Sequence, residues 1–129
     1  MEREALVERL AGLLARHPEV VVGYLFGSRA RGAAGGGSDL DLAILLDREP
    51  PHSLDGLGFD LRDELAAELG VEVDLVVLNR APADLVHRVL RDGILVVERD
   101  RARRIAFEVA KRSEYFDLEP VRKLYRGVA

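Results

Sequence analysis

The chain has no cysteine, a single methionine and a single amide side chain, Asn79, among its 129 residues. Without cysteine there is no disulfide, no thiolate metal site and no sulfur nucleophile, so any metal must be held by oxygen or imidazole. Histidine is nearly absent too. His17, His52 and His87 lie far apart and lack the i, i+4 spacing of a helical zinc site. No apolar run approaches the roughly 20 residues that span a bilayer. The segment from Glu2 to Arg16 is charged throughout, unlike a secretory leader, so a cytoplasmic protein is expected. Long linkers are missing as well, and residues 1–129 read as one domain.

What is present is a globular composition, 48% hydrophobic and 33% charged, with a net charge of −4. The charge is uneven. Residues 1–98 carry ten Lys/Arg against eighteen Asp/Glu, net −8, and residues 99–129 carry nine against five, net +4. A basic tail on an acidic body suits a nucleotide, a nucleic acid or an acidic protein partner, or is simply a solvated helix face, and for the chain as a whole direct nucleic-acid binding is not expected.

Hydrophobic periodicity predicts the order helix, strand, strand, helix, strand, helix, strand, helix. Leu6, Val7, Leu10, Leu13 and Leu14 recur at helical spacing, and Pro18 stops that helix. Val20 to Phe26 is a continuous apolar run ended by Gly27-Ser28, and Asp39 to Leu46 is a second strand. A helix with Leu54, Leu57, Leu61, Leu65 and Leu69 inward ends at Gly70, and Val71 to Leu78 is the third strand. A short helix opens at Ala81-Pro82, a strand runs from Ile94 to Val97, and the last helix begins at Asp100 with Ala102, Ile105, Ala106, Val109 and Ala110 expected inward. The first two strands are joined by a loop too short for a helical crossover and should pair antiparallel. The fold class is therefore α/β, a mixed sheet of about four strands covered by helices.

Three acids stand out against this frame. Asp39 and Asp41 are residues i and i+2 of a predicted strand, roughly 6.6 Å apart and on one side of the sheet. Asp74 is a charge inside the apolar run Val73 to Val77, and such an acid is seldom buried without a partner. Carboxylates converging in this way repel one another unless a cation or a proton intervenes, and hard oxygen ligands suit Mg²⁺. Upstream, Gly27 lets backbone approach a ligand and Ser28 offers a hydroxyl and an amide, a small phosphate cradle.

The Gly27-Ser28 pair, ten intervening residues, the Asp39-Leu40-Asp41 motif and Asp74 on a neighbouring strand resemble the nucleotidyltransferases of polymerase β type. The run Gly27-Ser28-Arg29-Ala30-Arg31-Gly32 and the later Leu78-Asn79-Arg80-Ala81-Pro82 are similar to the minimal nucleotidyltransferase antitoxins paired with HEPN ribonuclease toxins. The resemblance implies ATP as substrate, two Mg²⁺ ions, and transfer of AMP to a tyrosine hydroxyl of the partner toxin within a hetero-oligomer, with no membrane involved. Asp39, Asp41 and Asp74 would then be the catalytic and metal-binding acids. Gly27, Ser28, Arg29 and Arg31 would bind the nucleotide. Two rival readings are transfer to a small molecule, as in aminoglycoside-modifying relatives, and neutralisation of the partner by contact alone. About 30 residues follow the last core strand, so an acceptor presented by another protein is expected in place of an enclosed small-molecule site. Phe107, Tyr115, Phe116, Leu118 and Tyr125 beside Lys111, Arg112, Arg122, Lys123 and Arg126 could form a contact surface.

Overall fold

A computed structural model describes residues 2–30, 39–49 and 57–128, with the side chains of all but 57–59 and 118–128. Predicted features at Arg31, His52 and Leu54, and the side chains of Leu118 and Tyr125, lie outside what it describes. The elements follow the predicted order: α1 (Arg3–Leu14), β1 (Val20–Phe26), β2 (Leu40–Leu46), α2 (Leu57–Leu69), β3 (Val73–Val77), α3 (Ala83–Asp92), β4 (Ile94–Glu98) and α4 (Arg101–Val128). A single 3-10 turn, Leu78–Arg80, follows β3 and was not anticipated.

The four strands form one mixed sheet in the order β3-β2-β1-β4. β1 pairs antiparallel with β2, as its short connection requires, and with β4, while β2 and β3 are parallel with α2 between them. β1 and β2 are central and covered on both faces, which is why their sequences are continuous apolar runs and not alternating ones. Leu40, Leu42, Ile44 and Leu46 of β2 pack with Leu6, Leu10, Leu13 and Leu14 of α1 and with Leu61 and Leu65 of α2. The alternate residues Ala43 and Leu45 join Tyr24 of β1 and Val86 and Val89 of α3 on the opposite face. Asp41 belongs by parity to this second face.

α4 departs from expectation. Its predicted inward stripe is turned to solvent, with Ala102, Ile105, Ala106, Val109 and Ala110 all exposed. The buried side instead carries Glu108, packed with a partly buried Phe107 that joins the α3 core. Long-range partners decide the matter. The Tyr24 hydroxyl donates to Glu108 Oε2 at 2.5 Å, and the Tyr115 ring stacks on His87 of α3 with centroids 3.8 Å apart. Alanine side chains have little area to gain by burial, so the face bearing Phe107 and Tyr115 wins the contact with the sheet and α3.

Candidate active site

The site is assembled at one end of the sheet by strand register. Asp41 is the second residue of β2 and faces Phe26 of β1 on one side and Asp74 of β3 on the other. Residues paired in this way share a face, so Asp41 and Asp74 come to one cleft of about 550 Å³. Gly27, at the end of β1, completes this wall of it. It adopts φ +76°, and a Cβ there would lie 2.1 Å from Asp41 Oδ2. The turn thus owes its close approach to the carboxylate to the missing side chain.

Ser28 and Arg29 follow in a partly exposed turn. That turn is tied to the body by Arg3 of α1, whose Nη1 donates to the carbonyl of the buried Ala30 at 3.2 Å. Asp39 stands immediately before β2, where the Leu40 amide donates to the Glu72 carbonyl at 2.9 Å. It is exposed and is not among the residues lining the cleft. Asp74 is exposed too, because it is the second residue of an edge strand and solvent reaches it. Among the described residues, no three acidic or histidine side chains are grouped closely enough to hold a metal ion. The donor chemistry of Asp41 and Asp74, carboxylate oxygens on neighbouring strands beside a side-chain-free turn, fits a hard cation such as Mg²⁺.

The opposite wall belongs to α3 and was not anticipated. Arg88, Arg91 and Asp92 line the cleft, with Leu85 and Val76 as its apolar floor. Val86 and Val89 anchor α3 in the core, and that orientation turns residues 88, 91 and 92 toward the acids. Arg91 is held in place by Asp92, donating from Nε at 3.0 Å and Nη2 at 2.9 Å. The hydrogen bond and charge of Asp92 raise the guanidinium pKa further above its ordinary value. The spacing of Arg88 and Arg91 from the Leu85, Val86 and Val89 stripe could have shown that they share a helix side, though not which side faces the acids. The cleft therefore offers carboxylates on the strand wall and guanidiniums on the helix wall, the donor set for a polyanion that arrives with a cation.

Comparison with known proteins places the fold. Residues 8–102 match the family model described as polymerase beta, nucleotidyltransferase. The protein adenylyltransferase MntA of Shewanella oneidensis is 35% identical over 77 residues, 59% of this chain and 52% of that protein. The chain thus spans about half the length of the curated relative it matches. Among solved structures, a toxin–antitoxin crystal structure with AMP-PNP superposes with a TM-score of 0.81 at 27% identity, over 94% of this chain and 95% of that one. A structure of the tri-AMPylated Shewanella oneidensis HEPN toxin in complex with its MNT antitoxin superposes at 0.76 with 25% identity, over 97% and 96%.

A mixed four-strand sheet in this order, covered by helices, defines a nucleotidyltransferase fold. The chain belongs to the polymerase β nucleotidyltransferase family. Among the described residues, no helix is long and apolar enough to cross a membrane.

Proposed function

We propose that this chain transfers AMP from ATP to a tyrosine hydroxyl of a partner HEPN ribonuclease toxin and thereby neutralises it. The observation that carries the reading is the register of Asp41 against Asp74 across β2 and β3, which puts two carboxylates on the cleft wall that Gly27 keeps open. The likeness to MntA, a protein adenylyltransferase, and to antitoxins solved with AMP-PNP or with an AMPylated toxin supports the choice of donor and acceptor.

In this reading the backbone amides of Gly27 and Ser28, with Arg29 and Arg31, receive the β- and γ-phosphates. Arg88 stands across the cleft and adds positive charge toward the α-phosphate. The acceptor oxygen bonds to the α-phosphorus as the bond to the bridging β-phosphate oxygen breaks, and pyrophosphate leaves. The acceptor's proton passes to the Asp74 carboxylate. Asp39, Asp41 and Asp74 would hold two Mg²⁺ ions, which supply charge neutralisation on the triphosphate and lower the acceptor's pKa.

Incubating the chain with α-labelled ATP, Mg²⁺ and its HEPN partner should place label on a tyrosine of the partner and release one pyrophosphate per AMP added. Absence of label on the partner, or label found only on a small amine, would overturn the proposal.

A further inference from the structure

α4 presents a ridge of apolar side chains to solvent. Ile105, Val109 and Phe116 are 44, 57 and 60% exposed, and Ala102 is exposed in line with them. At 3.6 residues per turn these positions fall within one narrow sector of the helix, so they form one ridge about 21 Å long and not scattered surface residues. Ala106 and Ala110 border it and leave room for a second helix to come close.

The charge beside the ridge selects the occupant. Arg101 and Arg112 run along one border, both exposed. Among the described side chains of α4, the carboxylate near them on that side is Glu108, which is turned inward and is bound by Tyr24, Arg104 and Arg112. The segment 99–129 is net +4, so a second copy laid ridge to ridge brings like charge against like. An apolar helix with acidic residues along one edge meets both the ridge and the arginines. α4 is also joined to the cleft. Its Tyr115 stacks on His87 of α3, next to Arg88, which lines the cleft beside Asp41 and Asp74. A partner held on α4 is held by the helix pair that walls the reaction site.

We propose that the Ala102, Ile105, Val109 and Phe116 ridge of α4 is the docking face for the protein acceptor, engaging an acid-edged apolar helix of that partner. The proposal rests on the reading that the acceptor is a protein, the HEPN toxin.

The test compares the full chain with Val109→Asp and, separately, Arg101→Glu, using the HEPN toxin and Mg-ATP as probes. Both positions are exposed, so each variant should keep the wild-type melting temperature and ATP affinity. Each should weaken toxin binding at least tenfold and raise the KM for toxin by a similar factor, with kcat at saturating toxin unchanged. Toxin binding by Val109→Asp equal to wild type would overturn the docking face. So would a wild-type dimer in sedimentation that this variant converts to monomer. If Val109→Asp loses the toxin while the wild type binds it without labelling it, the docking face stands and the transfer reading falls. If both label the toxin with the same KM, the transfer reading stands and the docking face falls.

Discussion

Gly27 and Asp41 occupy each other's space: the volume that any side chain at position 27 would need is filled by the Asp41 carboxylate, 2.1 Å from the position of a Cβ. Gly27→Ala must therefore do two things. It places a non-glycine residue at φ +76°, which costs about 1–3 kcal/mol. It also forces the Asp41 side chain to swing away, because that carboxylate is the movable member of the clash. The expected outcome is a folded chain with a modest loss of stability by urea denaturation and a loss of transferase activity of 100-fold or more. A variant with reduced stability and near-normal activity would show that the site tolerates a displaced Asp41.

Asp41 and Asp74 are like charges directly opposite one another on adjacent strands, an arrangement that destabilises a sheet unless something binds between them. Asp41→Asn removes one of the two charges and should leave the ligand-free chain folded. The same substitution should abolish the rise in melting temperature that Mg-ATP gives the wild type by linkage. Thermal scans with and without Mg-ATP check both halves, and an Asp41→Asn chain that still gains stability from Mg-ATP would remove Asp41 from the site.

Much of the fold is legible in the sequence. β1 was readable to the residue because a β-branched run is bounded by Pro18 on one side and Gly27 on the other. The spacing of Asp39 and Asp41 from Gly27-Ser28 points to the family, since spacing along one turn and the strand after it is a local property. Contacts between distant segments were not legible. The periodicity of α4 points to the side that the structure exposes, because its buried face is chosen by Tyr24, 84 residues from Glu108. Arg88 and Arg91 were overlooked for the same reason: a helical stripe shows which side is buried, but the topology decides what the remaining side confronts.

The Tyr24–Glu108 pair should make stability depend on pH at both ends. Burial alone would push the Glu108 carboxyl up, but the hydrogen bonds from Tyr24 and Arg104, with the charges of Arg104 and Arg112, hold it below its ordinary value of 4.5. The folded chain thus binds fewer protons there than the unfolded chain. This contribution is complete above about pH 4.5 and is lost as pH falls through the lowered folded value. For Tyr24, burial first, then the hydrogen bond to Glu108 and its charge, raise the phenol well above its ordinary 10.0. That contribution is complete below pH 10 and is lost as pH rises toward the folded value. Denaturation midpoints measured from pH 3 to 11 should fall at both ends in the wild type. Tyr24→Phe should be less stable by about 1 kcal/mol at neutral pH and should show a shallower alkaline decline. An unchanged alkaline limb would show that the Tyr24 phenol titrates normally.

Asn79 ties the turn after β3 to the end of β2. Its Oδ1 accepts from the Leu46 amide at 2.8 Å and its Nδ2 donates to the Leu46 carbonyl at 3.0 Å, so one side chain satisfies both backbone groups where parallel pairing stops. Arg103 Nη2 also donates to the Leu46 carbonyl at 3.0 Å, so removing the amide leaves that oxygen served but orphans the Leu46 N–H. Asn79→Ala should cost about 1–2 kcal/mol of stability. Asn79→Asp keeps an acceptor for the Leu46 N–H but gives up the Nδ2 donor, and should recover part of the loss. Neither substitution touches the cleft, so ATP affinity should stay within twofold of wild type when measured well below the melting temperature. A large fall in ATP affinity with stability intact would show that this end of β2 belongs to the site and not only to the frame that positions Asp41 at the other end of the strand.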